Sequence, residues 1–283
     1  MFKNATKLQY DYLTWIKFIH RKYENLQIEK GSASLFFVNE EGWAITCKHV
    51  IETIMAIDTI NKNYEQFKSQ LSCFPDKKSD LEIKFKLSKN NVCQGAYEFG
   101  VNVKINASIN CIMHPSLDIA LIHFDVSEPT KYCYFVDNMN DIDQGTSLAR
   151  IGFPFVDFNN YTFNPANETL QFTQNNKPMV TFVNDGIVSQ NRYTIINNVQ
   201  LRTHLLLSTP GIKGQSGGPL YDVYGRVAGM QSQTETRDLD FMGKSIINGK
   251  QIETPQFLNV GICISAEAIK DFLQKNNINY YIK

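Results

Sequence analysis

Short runs of β-branched and aromatic residues, separated by turn-forming residues, most restrict the fold of this sequence. From Gly31 onward such runs recur along nearly the whole chain. They cover residues 33–38, 43–46, 82–87, 101–105, 119–124, 147–151, 180–188, 205–208, 227–231 and 260–264. Many short strands joined by turns indicate a barrel or a sandwich, because a parallel sheet would need a helix between successive strands.

Helical spacing of apolar residues occurs in three places. Residues 5–27 carry apolar side chains three and four positions apart and predict an amphipathic helix. Residues 51–71 repeat this pattern within the region of strands, and residues 266–275 predict a closing helix. The polar stretch 159–177, rich in asparagine, threonine and glutamine, predicts a long surface loop.

Charge and hydropathy exclude several classes of function. Among 283 residues, 28 are lysine or arginine and 28 are aspartate or glutamate. This balance argues against a nucleic-acid partner, which would require a basic face. No stretch approaches the ~20 apolar residues that cross a bilayer, so we expect no membrane partner.

The N-terminus and the cysteines bear on the compartment. Charged residues interrupt the first thirty positions too often for a secretory signal. The six cysteines form no CxxC pairs, and a chain of this size does not need disulfides. We therefore expect reduced thiols and a cytoplasmic protein.

Ser216 lies in the segment Gly-Gln-Ser-Gly-Gly-Pro-Leu, residues 214–220. A serine hydroxyl is a poor nucleophile unless a base lies beside it and backbone amides point at the developing oxyanion. Glycines allow a tight turn in which the amides of Gly214 and Ser216 can converge. Taken alone, such a segment is as often a plain turn between strands.

Two further segments offer a base and an acid. His49 follows a strand-like run in Thr-Cys-Lys-His-Val, and Asp118 opens the apolar run Asp-Ile-Ala-Leu-Ile. Each alone has a structural interpretation, since aspartate at the start of a strand is commonly a turn residue. The order His49, Asp118, Ser216 is the chymotrypsin order and differs from those of subtilisin and the α/β-hydrolases.

Taken together, these segments resemble trypsin-like serine peptidases, particularly the bacterial Htr/Deg branch, from about Gly31 to Leu273. The same resemblance extends to residues 31–38, 43–50, 149–154, 185–189, 227–230 and 260–264. It implies an all-β fold of two six-stranded antiparallel β-barrels, with an added N-terminal helix, a helical insertion after His49 and a C-terminal helix.

The resemblance also implies a division of the chain. Residues 1–30 would form a helical extension and residues 31–283 the peptidase domain. Its first barrel would span about 31–135, its second about 145–265, and its closing helix 266–275. Since the chain stops there, we expect no PDZ module.

The activity implied by the resemblance is that of a serine endopeptidase acting on protein or peptide substrates. Ser216 would attack the scissile carbonyl, His49 would accept its proton, and Asp118 would orient His49. The amides of Gly214 and Ser216 would form the oxyanion hole. We expect neither a metal nor an organic cofactor.

The resemblance assigns the primary substrate pocket as well. Its floor is Pro210, its walls are Ser232, Gln233 and Thr234, and Gly261 lies opposite. Pro210 offers no charge to a buried cation. We therefore expect the pocket to reject arginine and lysine and to favour small or medium apolar residues.

Gln215 predicts activity without proteolytic activation. Secreted trypsins have an aspartate before the serine, which pairs with a newly created N-terminus. Gln215 carries no charge, and a buried ammonium facing it would be disfavoured. We expect residues 1–30 to pack permanently on the barrel, and any control to act on the loop from Pro210 to Gln215 through a protein partner.

Three alternative functions belong to other classes of protein. A catalytically silent barrel could serve as a protein-binding module, although the complete set of three residues argues against it. An esterase would match GxSxG at residues 214–218, yet a strand is predicted after it and the order of the triad differs. A zinc enzyme would use Cys47 and His49, with His114 and His123 near Asp118, but no HExxH or CxxC motif is present.

Overall fold

The computed structural model describes residues 1–24, 26–101, 110–173, 178–196, 199–247 and 250–283. The strands of the first half are β1 (Leu13–Lys22), β2 (Ile28–Phe37), β3 (Trp43–Thr46), β4 (Val92–Phe99), β5 (Asn110–Met113), β6 (Ala120–His123) and β7 (Tyr134–Phe135). Those of the second half are β8 (Ser147–Gly152), β9 (Tyr161–Asn164), β10 (Thr169–Phe172), β11 (Phe182–Ile196), β12 (Val199–Leu207), β13 (Pro219–Tyr221), β14 (Val227–Ile247), β15 (Lys250–Ser265) and β16 (Tyr281–Ile282). The α-helices are α1 (Lys3–Gln9), α2 (Lys48–Cys73), α3 (Lys78–Lys84) and α4 (Ala266–Lys275), with 3₁₀ turns at Pro75–Lys77 and Met139–Asp141.

Two curled antiparallel sheets form the body of the protein and confirm the predicted double barrel. The first has six strands in the order β4-β1-β2-β3-β6-β5. In the second, β13-β8-β11-β12-β15-β14 closes on itself through the pairing of β13 with β14. The two-residue strands β7 and β16 extend this sheet in parallel orientation. The main hydrophobic core is continuous between both sheets.

The predicted helix over residues 5–27 is wrong. Only α1 is helical there, and β1 is an inner strand of the first sheet, paired with both β2 and β4. Both faces of β1 are buried, because Ile16 and Phe18 enter the main core while Trp15 and Ile19 pack in a second cluster. Burial of both faces places apolar residues at spacings that imitate a helix. The N-terminal residues are therefore an integral part of the first barrel.

The other two predicted helices are confirmed. Helix α2 begins at Lys48, so that His49 lies in its first turn, and it buries Ile54, Ile57 and Phe67. The side chain of Asn61 on α2 donates to and accepts from the backbone of Gly95 on β4, both at 2.9 Å. Helix α4 is capped by the Ser265 hydroxyl, which accepts from the amide of Glu267 at 3.0 Å.

Two local predictions are corrected. Residues 82–87 were expected to form a strand, but their first three residues belong to α3. Leu81 and Phe85, four residues apart, both pack in the cluster that contains Tyr64 and Phe67, and this spacing favours a helix. The predicted loop 159–177 contains the hairpin β9–β10, which covers the outer face of β1. Residues 174–177 of that stretch, and most of the predicted run 101–105, lie outside the described residues.

Strands β14 and β15 are much longer than the apolar runs that predicted them. They remain paired out to Ile247 and Lys250, well beyond the barrel. Within the described chain, no helix combines the length and the apolar character needed to span a membrane. All six cysteines are free thiols.

Candidate active site

Ser216 lies in a tight turn between β12 and β13 that requires glycine on both sides. Gly214 and Gly217 have φ values of +100° and +83°, a region that other residues rarely occupy. The turn is closed by the amide of Gln215, which donates to the carbonyl of Ile212 at 2.9 Å. The backbone around Ser216 is thus set by local geometry.

This turn is joined directly to the first barrel. The amide of Ser34 on β2 donates to the Ser216 carbonyl at 2.8 Å, and the Ser34 hydroxyl donates to the Gly214 carbonyl at 3.0 Å. A side chain on Gly217 would meet the carbonyl of Ser34 and the hydroxyl of Thr46. Strand β2 therefore fixes the position of Ser216 relative to the first barrel.

His49 and Asp118 meet because β3 and β6 are paired. Thr46 at the end of β3 lies opposite Ala120 at the start of β6. His49 Nδ1 is 2.9 Å from Asp118 Oδ2, and the His49 backbone amide donates to Asp118 Oδ1 at 3.0 Å. With two contacts to one carboxylate, the imidazole is oriented with Nδ1 towards Asp118.

Asp118 is held as a carboxylate. Burial opposes its ionised form, but hydrogen bonds from the side chains of His49 and Ser232 outweigh burial and lower its pKa to about 2. The Ser232 hydroxyl donates to Asp118 Oδ2 at 2.5 Å. A charged acceptor at Nδ1 favours the tautomer whose Nε2 is free to accept a proton.

The Ser216 hydroxyl donates to the carbonyl oxygen of Ser232 at 3.2 Å. The hydrogen bonds of the described residues do not include one between this hydroxyl and His49. Ser232 nevertheless connects the two, since its side chain contacts Asp118 and its carbonyl contacts Ser216. Rotation of the Ser216 side chain about χ1 would release its hydroxyl from Ser232.

Two backbone amides beside Ser216 have no internal partner. Throughout the described part of the chain, neither the Gly214 nor the Ser216 N–H donates a hydrogen bond. Unpaired amides are uncommon in folded proteins and indicate a place where an acceptor binds. These are the two donors that the sequence predicted for an oxyanion hole.

The predicted pocket residues lie together next to Ser216. Thr234 on β14 is in register with Gly261 on β15, and the Gly261 amide donates to the Thr209 carbonyl at 2.9 Å. The Thr234 hydroxyl donates to the Gly211 carbonyl at 2.8 Å, joining the wall to the segment that carries Pro210. The exposed Gln233 belongs to the same stretch of β14.

Ser232 differs from the other pocket residues. A β-bulge between Gln231 and Gln233 turns its side chain to Asp118 instead of into the pocket. Sequence reasoning also missed Arg150, whose Nη1 lies where a side chain on Gly261 would project. The signal that could have found it is a single basic residue within the apolar run of β8.

Gln215 has the neutral role expected of it. It is fully buried, and its Oε1 accepts from the Ile212 amide at 3.0 Å. Its Nε2 donates to Asn184 Oδ1 at 2.8 Å and to the Phe182 carbonyl at 3.3 Å. These bonds order the turn without any ion pair.

A metal centre is poorly supported by the donors present. Cys47, His49 and Asp118 offer ligand atoms within 4.8 Å of one another. However, burial, followed by the charge of Asp118, raises the pKa of the Cys47 thiol well above its usual range. A thiol that stays protonated is a weak ligand, and His114 and His123 do not belong to this group.

Replacing Gly217 with alanine should destabilise the protein more than the same change at Gly145. Both glycines have positive φ, +83° and +87°, but at Gly145 an added Cβ meets nothing within 4 Å. We expect Gly145→Ala to lower the free energy of unfolding by about 1–2 kcal/mol. Gly217→Ala should lower the free energy of unfolding by about 1–3 kcal/mol more, because its Cβ would collide with Ser34 and Thr46 of the first barrel. Urea unfolding measures both, and equal losses would contradict this description.

Comparisons with known proteins agree with the fold. A family model described as the trypsin-like peptidase domain matches residues 33–230. No curated protein matches the sequence. The fold is similar to the crystal structure of the Rv3671c protease from M. tuberculosis in its active form, with a TM-score of 0.50 and 12% identity. That match covers 99% of this chain and 86% of the other.

Proposed function

The chain belongs to the trypsin-like peptidase family, and on this premise we propose that it is a serine endopeptidase with His49, Asp118 and Ser216 as its catalytic triad. Its substrates would be proteins or peptides. The observation that carries the proposal is a serine in a tight turn with two amides that find no acceptor among the described residues, linked through Ser232 to a carboxylate that holds a histidine.

The proposed reaction passes through an acyl-enzyme. Ser216 Oγ attacks the carbonyl carbon of the scissile bond as its proton passes to His49 Nε2. The resulting oxyanion accepts hydrogen bonds from the amides of Gly214 and Ser216. His49 then protonates the leaving amine, and water, activated by the same imidazole, hydrolyses the acyl-enzyme. Asp118 stabilises the transient imidazolium throughout, and no step requires a cofactor.

A second candidate function is supported by one observation. The Ser216 hydroxyl bonds to the Ser232 carbonyl at 3.2 Å rather than to His49. A barrel locked in this arrangement would bind peptides without cleaving them. Catalytic hydrogen bonds are often loose before substrate binds, and rotation of the Ser216 side chain about χ1 frees its hydroxyl from Ser232, so we favour the peptidase.

Covalent labelling distinguishes the two functions. A fluorophosphonate probe should attach to Ser216 of the intact chain, as read by intact mass followed by peptide mapping. Ser189→Ala, at an exposed serine on β11, is the matched control and should label like the wild type. Absence of label would leave the binding module as the function. Label confined to molecules cut near Gly31 would contradict activity without proteolytic activation.

Regulation through a protein partner would act on the loop from Pro210 to Gln215. The buried side-chain amide of Gln215 supports this loop by accepting from the Ile212 amide and donating to Asn184 Oδ1. A partner that displaced this amide would disorder the oxyanion hole and switch the enzyme off. We propose this loop as the point of control.

A further inference from the structure

Arg150 is a buried cation that donates to neutral acceptors. Its side chain is fully buried within β8. Nη2 donates to the carbonyl and the hydroxyl of Thr209, at 2.6 and 2.5 Å, and Nη1 donates to Gln231 Oε1. Among the described residues, Nε has no hydrogen-bond partner. The ion pairs of the described residues do not include one that involves Arg150.

The guanidinium lies at the base of the proposed substrate pocket. A side chain on Gly261, the pocket wall, would collide with Arg150 Nη1 and approach the Thr209 carbonyl. A side chain on Gly211 would collide with the amide of Gln231. The side chains of Gln231 and Arg150 thus fill the space beside the two glycines. A substrate side chain that enters beside Ser216 must displace Gln231 to reach Arg150.

Burying a guanidinium without a carboxylate partner is costly. The acceptors that offset this cost among the described residues are all neutral. Burial lowers the pKa of Arg150, while Cys263 and Asp185 oppose this. Arginine nevertheless remains protonated in proteins. A carboxylate is its best partner, because two parallel charge-assisted hydrogen bonds match the guanidinium fork.

We propose that Arg150 determines the specificity of this site and that the enzyme cleaves after glutamate or aspartate. This inference rests on the proposed peptidase function. The substrate carboxylate takes the place of Gln231 Oε1 on Nη1, and the Gln231 side chain moves aside. An acidic preference replaces the small apolar one inferred from the resemblance, and the expected rejection of arginine and lysine is retained, now because of like charge.

The test compares four peptides that differ only in the residue before the cut: glutamate, glutamine, leucine or arginine. For the wild type, kcat/KM for the glutamate peptide should exceed that for the glutamine peptide at least about tenfold, since the neutral amide leaves the buried charge unpaired. The arginine peptide should be the poorest. Ratios between peptides do not depend on the fraction of folded enzyme.

Gln231→Glu is the decisive variant. It places a near-isosteric carboxylate against Arg150, which fills the acid site and leaves the buried guanidinium paired. The preference for glutamate over leucine should fall at least about tenfold, the size expected for one lost charged contact. Arg150→Met should lower the preference for glutamate over leucine by a similar factor. Gln251→Glu, at an exposed glutamine on β15 far along the hairpin, adds the same charge and should not change it.

Three outcomes overturn the proposal. Wild type that cleaves the leucine peptide as well as the glutamate peptide overturns the specificity while the peptidase function stands. An unchanged ratio in Gln231→Glu overturns the role of Arg150. Failure of both cleavage and fluorophosphonate labelling overturns the peptidase function, and the specificity with it.

Discussion

Replacing Ser216 with alanine should reduce turnover by about 10⁶-fold, the loss seen when such a nucleophile is removed. This corresponds to roughly 8 kcal/mol, at ~1.36 kcal/mol per decade. The only hydrogen bond of the Ser216 side chain in the described structure is to the Ser232 carbonyl. The variant should therefore keep the wild-type melting temperature within a few degrees.

His49→Ala should be nearly as severe, and the double variant little worse than either single one, because nucleophile and base act as a unit. Ser189→Ala, changed at an exposed serine, is the control for loss of a hydroxyl. Turnover is measured on a quenched fluorescent peptide with enzyme free of contaminating protease. Substantial residual cleavage by Ser216→Ala would refute the assignment of the nucleophile.

Asp118→Asn should reduce turnover by about 10⁴-fold while leaving a measurable enzyme. In the wild type the carboxylate accepts from the His49 amide, His49 Nδ1 and the Ser232 hydroxyl. An asparagine side chain has one acceptor oxygen, and its NH₂ group would face donors. The imidazole stays near its position but is biased towards the tautomer that cannot accept the serine proton.

The acid nearby in sequence provides the control for this change. Asp125 is exposed and follows β6, so Asp125→Asn removes the same charge outside the site and should keep wild-type kcat/KM. If Asp118→Asn kept full activity and Asp125→Asn lost it, Asp125 and not Asp118 would be the acid that orients His49. The pKa of Asp118 is lowered to about 2, so its carboxylate is charged at any pH above about 4. The kcat/KM values of Asp118→Asn and Asp125→Asn can therefore be compared with wild type at any such pH.

The N-terminal region illustrates where prediction from the sequence fails. The spacing of Trp15, Ile16 and Ile19 fits a helix as well as a strand buried on both faces. Which of the two forms depends on whether another element covers the outer face. The hairpin β9–β10, about 140 residues further along the chain, provides that cover, and no local pattern near β1 signals it.

The sequence by itself determined the features that depend on neighbouring residues. Helices α2 and α4 follow from apolar spacing, and the turn at Ser216 follows from Gly214 and Gly217, because positive φ is a local requirement. The order of His49, Asp118 and Ser216 likewise indicated the peptidase family.

Only the tertiary structure decided which side chains meet. The hydroxyl of Ser232 reaches Asp118 across 114 positions of sequence, and Arg150 reaches the side chain of Gln231 across 81. A bulge in β14 and the pairing of distant strands create these contacts. Hydrogen bonds and charge act over a few ångströms in space. The support of Asp118 therefore has no signature in the local sequence, and a basic residue in the apolar run of β8 does not show which distant side chains it meets.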